Sequence, residues 1–233
     1  MRVWLLILLA VAPALAFPSN PEARRIALDG TRNTRGLGGL PTAGGTLASG
    51  KLIRSGALCF ASRADAEKLL GMGLKTILEL RLDSEIAKDG PDKAYLTAPL
   101  KKLHWPMANS HGLGREAYQS YLEDNRPLIR DFFALLAKPE TYPLLFHCSA
   151  GKDRTGILTA LLLESLGTPR EVILDDYIHS RRITPRLKVE EDWIAEVFKA
   201  VDKAGGIEPY LFGLGVTPEQ LAAVRTNLIS KSH

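Results

Sequence analysis

Cys148 and Arg154 are the two side chains of this 233-residue chain best suited to covalent chemistry on an anion, and five residues separate them in the run His147-Cys148-Ser149-Ala150-Gly151-Lys152-Asp153-Arg154-Thr155-Gly156. A cysteine thiolate is a nucleophile, and a guanidinium is a permanent cation whose planar fork grips two phosphate oxygens at once, which a lysine cannot do. Between them lies a short segment suited to a tight loop. A loop of that kind turns successive backbone N–H groups inward, and a helix N-terminus behind it adds partial positive charge, so the two together seat a tetrahedral dianion. At the base of that concavity the thiolate of Cys148 is favoured over the thiol. Ser149, Ala150, Gly151, Lys152, Asp153 and Arg154 would line the bound phosphate.

Such a loop needs a rigid strand before it and a helix after it. The apolar run Pro143-Leu144-Leu145-Phe146 reads as the buried strand, and Ile157 to Leu163 as the helix, continuing to about Gly167. Other segments supply the rest of an α/β layer. Lys51 to Ser55 and Lys75 to Arg81 read as strands, and Lys101 to Met107 as a strand entering a loop. Ser62 caps a helix running to about Leu70 that Gly71 or Gly73 ends. Arg115 to Leu136, broken at Pro127, reads as two amphipathic helices covering the sheet. Thr168-Pro169-Arg170-Glu171 and Thr217-Pro218-Glu219-Gln220 both carry the signature of a helix start, and a long helix is expected from about Pro185 to Ala204. Pro18 to Asp29 lacks periodicity and reads as an extended arm. Asp83 follows the second strand, at the end where open α/β sheets bind ligands, although an exposed helix cap suits it better.

The string His-Cys-x-x-Gly-x-x-Arg-Thr-Gly, read from His147 to Gly156, resembles the signature loop of the cysteine-dependent protein tyrosine phosphatase superfamily. A second likeness narrows it. Asn33-Thr34-Arg35-Gly36-Leu37-Gly38-Gly39, followed by Gly50-Lys51-Leu52-Ile53-Arg54-Ser55-Gly56, is similar to the exported bacterial tyrosine and dual-specificity phosphatases, some of which also take phosphoinositides. In that branch Phe and Asp usually stand where this chain has Thr34 and Gly36. The resemblance implies one tyrosine-phosphatase-like α/β domain over residues 17–233, with a central, mostly parallel sheet flanked by helices and a helical C-terminal part. It implies hydrolysis of phosphotyrosine, with phosphoserine and phosphothreonine esters as further substrates, through a phosphocysteine on Cys148 and with no metal or cofactor. It also places Thr155 to hydrogen-bond the thiolate and His147 to fix the loop from below. Many relatives carry their general acid in a Trp-Pro-Asp loop, but this chain has Trp105-Pro106-Met107 and no carboxylate until Glu116. Asp153 matches the acidic position that lipid-phosphatase relatives use inside the loop, with His104 and His111 as lesser candidates. Arg35 and Arg54 read equally as substrate-binding or loop-bracing residues.

Lys152 beside the phosphate would favour polyanionic headgroups, so a phosphoinositide or inositol phosphate phosphatase is the alternative. A rhodanese-type sulfurtransferase also sets Cys in an anion loop but has no need of Thr155-Gly156. A phosphate-binding module without catalysis would have dispensed with Cys148 or Arg154. The net charge of +4 is mild and scattered, unlike a nucleic-acid-binding stripe. Met1-Arg2, the apolar run Val3 to Ala12 and the ending Ala14-Leu15-Ala16 read as a cleaved signal peptide over residues 1–16. That implies an exported protein, periplasmic or secreted, with no stable membrane insertion after cleavage. Only Cys59 and Cys148 occur, too few for a disulfide scaffold. In an oxidising compartment Cys59 could shield Cys148 as a reversible disulfide, or simply pack as a small hydrophobe.

Overall fold

The computed structural model describes residues 21–98 and 100–231, so the expected signal peptide lies outside the described residues. After a single 3₁₀ turn at Pro21–Arg24 come the short strands β1 (Arg35–Gly36), β2 (Pro41–Thr42), β3 (Gly45–Leu47) and β4 (Leu52–Ser55). Next are α1 (Arg63–Gly71), β5 (Thr76–Glu79), α2 (Asp83–Asp89), α3 (Ala94–Thr97) and β6 (Lys101–His104). The helices α4 (Arg115–Asp124) and α5 (Arg126–Leu136) lead to β7 (Leu144–His147) and α6 (Asp153–Ser165). The chain closes with α7 (Arg170–Ile183), α8 (Glu191–Lys203), α9 (Ile207–Gly213), α10 (Pro218–Leu228) and β8 (Ile229–Ser230).

The main sheet runs in the order β1-β4-β7-β5-β6, parallel except where β1 meets β4. This is the expected α/β class, a mostly parallel sheet with helices on both faces. β7 is paired on both edges and buried throughout, which explains an apolar run without polar alternation. Its side chains divide between the two faces with the period of a strand. Leu144 and Phe146 enter the larger core with α5, α6 and α8, and Leu145 enters a smaller one with Ile53, Leu69 and Ile77 under α1. α6 is buried all round, as a helix in the centre of the larger core must be. A small antiparallel sheet, β2-β3-β8, ties the C-terminus to the N-terminal segment.

Most expected elements are present, and the departures have physical causes. Ser62 caps α1 in a reciprocal box with Asp65, and Thr217 does the same for α10 with Gln220. Thr168 does not cap α7. Its hydroxyl donates instead to the Pro41 carbonyl at 2.7 Å, and Pro169 takes the cap position without a side-chain bond. α8 begins at Glu191 rather than Pro185, because residues 185–190 form a turn that delivers the Lys188 carbonyl to Lys152. The arm before β1 is fixed by a bridge from Arg25 to Arg35.

Candidate active site

Ser55, Glu79 and His147 end their parallel strands in one register row, so the loops following β4, β5 and β7 leave the sheet together. The loop after β7 carries Cys148, whose side chain is 1% exposed, and α6 opens immediately beyond it at Asp153. Gly151 makes the turn possible. Its φ is +65°, and a Cβ there would stand 2.5 Å from the Ser55 carbonyl carbon, so the loop lies directly against the end of β4.

Three residues outside the loop set its orientation. Asn33 donates through Nδ2 to the carbonyls of Ala150 at 3.0 Å and Gly151 at 2.9 Å, and Arg54 donates through Nη2 to the same Gly151 carbonyl at 2.9 Å. In a planar trans peptide the carbonyl and the next N–H point in opposite directions. Holding these two carbonyls therefore aims the N–H groups of Gly151 and Lys152 away from Asn33 and Arg54. Asp176 of α7 anchors the arrangement, pairing with Arg54 at 2.6 Å, with Arg24 at 2.8 Å and with Arg35 Nε at 3.1 Å. Arg35 in turn donates to Asn33 Oδ1 at 2.5 Å. Arg35 and Arg54 are thus buried loop-bracing residues, and this resolves the choice left by the sequence.

Facing the solvent side, Arg154 is held by Glu85. Nη2 meets Glu85 Oε1 at 2.7 Å, Nη1 meets Oε2, and Nη1 also donates to the Leu80 carbonyl at 3.2 Å. Ser149 Oγ donates to Glu85 Oε1 at 2.5 Å, so one carboxylate links both ends of the loop. Burial alone would raise the Glu85 pKa, but the bonds from Arg154 and Ser149 prevail and bring it down to about 2. Asp153 accepts from the Tyr118 hydroxyl at 2.7 Å, and that hydroxyl also meets Tyr177 at 2.7 Å. Burial, then the nearby Asp153 charge, push the Tyr118 phenol well above its ordinary value, so it remains a donor. Lys152 is not a free cation. Its ammonium donates to the Lys188 carbonyl, pairs with Asp153 at 3.1 Å and lies 4.7 Å from the centre of the Trp193 ring.

Beneath the loop, His147 Nε2 lies 3.0 Å from Asp92 Oδ2, within a buried network in which Arg81 pairs with Glu79 and Asp92, and Lys102 pairs with the same two carboxylates. Glu79, Asp92 and His147 offer atoms within 4.8 Å of one another, but the two cations already balance the two carboxylates, so the cluster reads as a closed ion-pair network. His147, expected to fix the loop from below, is itself held by Asp92. Thr155 makes no hydrogen bond to the sulfur: its buried Oγ1 has no hydrogen-bond partner among the described residues. Cys59 receives Arg81 Nη1 at 3.4 Å, both cysteines are free, and burial pushes the Cys59 thiol up. Cys59 therefore packs as a buried thiol within that network. His104 is committed to the Arg81 carbonyl at 2.8 Å, and His111 is exposed on the loop after β6. Asp83 is exposed at the start of α2, while Glu85, two residues on, is the residue of that segment that enters the site. Glu85, Asn33, Asp176 and Tyr118 are the site residues that sequence reasoning missed. The strand-end position of the segment containing Glu85 was the one available signal.

The model of a family described as the tyrosine phosphatase family matches residues 26–230. This chain belongs to the tyrosine phosphatase family. It is 29% identical to a Cupriavidus necator protein that bears the name of a tyrosine-protein phosphatase, over 87% of this chain and 88% of that one. It is 27% identical to the triple specificity protein phosphatase PtpB of Mycobacterium tuberculosis, over 86% and 87% of the two chains. Among solved structures it is similar to P. aeruginosa TpbA, with a TM-score of 0.47 and 18% identity over 81% of this chain and 94% of that one.

Proposed function

We propose that this tyrosine phosphatase family member hydrolyses phosphotyrosine esters, with phosphoserine and phosphothreonine as further substrates, in two steps through a phosphocysteine. What supports the reading is Cys148 directly after β7, the amides of Gly151 and Lys152 turned away from Asn33 and Arg54, and Arg154 in the first turn of α6. In the first step Cys148 Sγ forms a bond to phosphorus as the bond to the ester oxygen breaks, and Asp153 gives its proton to the leaving oxygen. Arg154 and the loop amides hold the equatorial oxygens as charge spreads over them. In the second step Asp153 takes a proton from water, whose oxygen attacks phosphorus. The sulfur–phosphorus bond breaks, and thiolate and inorganic phosphate are released. Tyr118 orients the Asp153 carboxyl for both transfers.

Lys152 does not support the inositol phosphate alternative, because its ammonium is already bound on three sides. The test compares phosphate release from phosphotyrosine peptide, phosphoserine peptide and phosphoinositides. Phosphotyrosine is expected to lead, and Cys148→Ser to abolish turnover while retaining phosphate-ester binding. Substantial turnover by Cys148→Ser would refute the covalent route. We also propose export to the periplasm or medium, supported by the leader-like residues 1–16. N-terminal sequencing of the mature protein from cell fractions tests it, and a cytoplasmic chain beginning at Met1 would count against it.

A further inference from the structure

One cavity borders the phosphate loop through Asn33, which lines the cavity and donates to two loop carbonyls. It encloses about 350 Å³ between the arm preceding β1 and the turn that ends α7, and its walls carry the cations Arg25, Arg32 and Arg186 beside the apolar Ile26, Ile183 and Pro185. No carboxylate lines it among the described residues. Arg25 pairs with Glu22 at 3.6 Å. Arg32 and Arg186 are exposed, and neither side chain makes a hydrogen bond or ion pair among the described residues.

Two of the residues lining the cavity, Asn33 and Arg32, lie against the phosphate loop. Asn33, which also lines it, holds the Ala150 and Gly151 carbonyls. Arg32 lies beside Ser149: a Cβ on Gly56 would stand 3.0 Å from Arg32 Cγ and 3.2 Å from the Ser149 carbonyl oxygen. Arg186 sits two residues before Lys188, whose carbonyl receives the Lys152 ammonium. Two guanidinia without a carboxylate partner among the described residues thus line a cavity that borders the phosphate loop through Asn33 and Arg32.

We propose that this cavity is a subsite for an acidic residue flanking the phosphotyrosine of a peptide substrate, with Arg32 and Arg186 pairing with its carboxylate. The proposal rests on the phosphatase reading above and adds a substrate preference to it. The apolar half of the cavity favours a peptide, whose side-chain methylenes would cover Ile26, Ile183 and Pro185. An inositol phosphate carries only polar substituents and would leave that surface wet.

The test measures kcat/KM on one phosphotyrosine peptide with Asp or Glu placed within three residues on either side, against the same peptide with Asn or Gln. The wild-type protein is expected to favour the acidic peptide about 3- to 10-fold, the range two partly exposed ion pairs supply, and less as salt rises. In Arg32→Gln/Arg186→Gln that ratio falls to about one, whereas Arg130→Gln on the remote helix α5 retains it. Equal turnover of acidic and neutral peptides by the wild type, or a ratio that survives the double substitution, overturns the proposal. So does a double variant that loses a soluble inositol bisphosphate substrate while its peptide ratio stands. Absence of turnover on every peptide sinks the phosphatase reading and the subsite with it, a result distinct from equal turnover.

Discussion

Glu85→Gln is the substitution that most directly separates the site's geometry from its sequence motif. Gln keeps the shape, and it can still accept one bond, but its amide must turn a donor toward a donor of Arg154 or of the Leu82 backbone, which Glu85 Oε2 now receives at 2.8 Å. A hydrogen bond to a charged group contributes about 1.5–3 kcal/mol, and one such bond is lost where Arg154 is only 9% exposed. A loss of about 2 kcal/mol in holding Arg154 at its working position is about 30-fold in kcat/KM. The assay is steady-state hydrolysis of a phosphotyrosine peptide, alongside thermal melting from pH 7 to pH 2. The melting carries its own sign. Glu85 is lowered from 4.5 to about 2 in the folded protein, so its stabilisation is complete above about pH 4.5 and is lost as pH falls toward 2. That shift sets a ceiling of about 3 kcal/mol, and with the carboxylate 26% exposed screening reduces it to about 1–2 kcal/mol. The variant should therefore lose less stability than wild type between pH 4.5 and 2. A kcat/KM within twofold of wild type, in a variant that folds normally, would refute the assignment of Glu85 as the residue that positions Arg154.

Asp153→Asn should lower kcat by about 10²–10³-fold on phenyl phosphate and by much less on p-nitrophenyl phosphate, whose leaving group needs no proton; equal losses on both would remove Asp153 as the acid. Asn33→Ala frees the Ala150 and Gly151 carbonyls and removes an acceptor from buried Arg35, so vanadate affinity should weaken about 10-fold, as read by competitive inhibition, and stability should fall by about 1–3 kcal/mol. Unchanged vanadate affinity would show that the loop amides hold their aim unaided. His179, 1% exposed on α7, is lowered from 6.5 to about 4 by burial and by Arg35, so the folded protein should lose about 3 kcal/mol of stability as pH falls from 6.5 to 4. His179→Phe should flatten that slope, and an unaltered slope would place the titration elsewhere.

What could be read from the sequence was local. The phosphate loop, its strand and its helix follow from an apolar run, a Cys-x5-Arg spacing and the glycine at 151, all within about twenty residues. The capping boxes at Ser62 and Thr217 are equally local, because each cap and its partner lie three residues apart. Thr168 misled for a complementary reason: its tertiary partner, the Pro41 carbonyl, lies 127 residues away and outcompetes the helix end. The same limit hid the supports of the site. Asn33 reaches Gly151 across 118 residues, Arg54 reaches Asp176 across 122, and Arg154 meets Glu85 across 69. Nothing in the periodicity of β1, α7 or α2 marks these residues as partners, since each pairing exists only once the sheet has brought the strand ends into one row.

The charge arrangement around the loop explains why so much cation is buried there. At the front, Arg154 is matched by Glu85 and Lys152 by Asp153; beneath, Arg81 and Lys102 are matched by Glu79 and Asp92. Behind the loop the count differs, because Arg24, Arg35 and Arg54 share the single carboxylate of Asp176. Buried excess charge is costly, and its signs are visible: burial and then Arg54 lower Arg35 to about 10, and Arg54 Nε has no hydrogen-bond partner among the described residues. Such an excess is tolerable where an opposing charge will arrive. A phosphate monoester brings two negative charges to a loop whose Gly151 carbonyl Arg54 already holds, so the surplus behind the loop offsets the charge in front of it. On the reading proposed above, the N-terminal arginines would act on substrate through the peptide planes and through the field, and Arg54→Met should weaken vanadate binding more at low salt than at high salt.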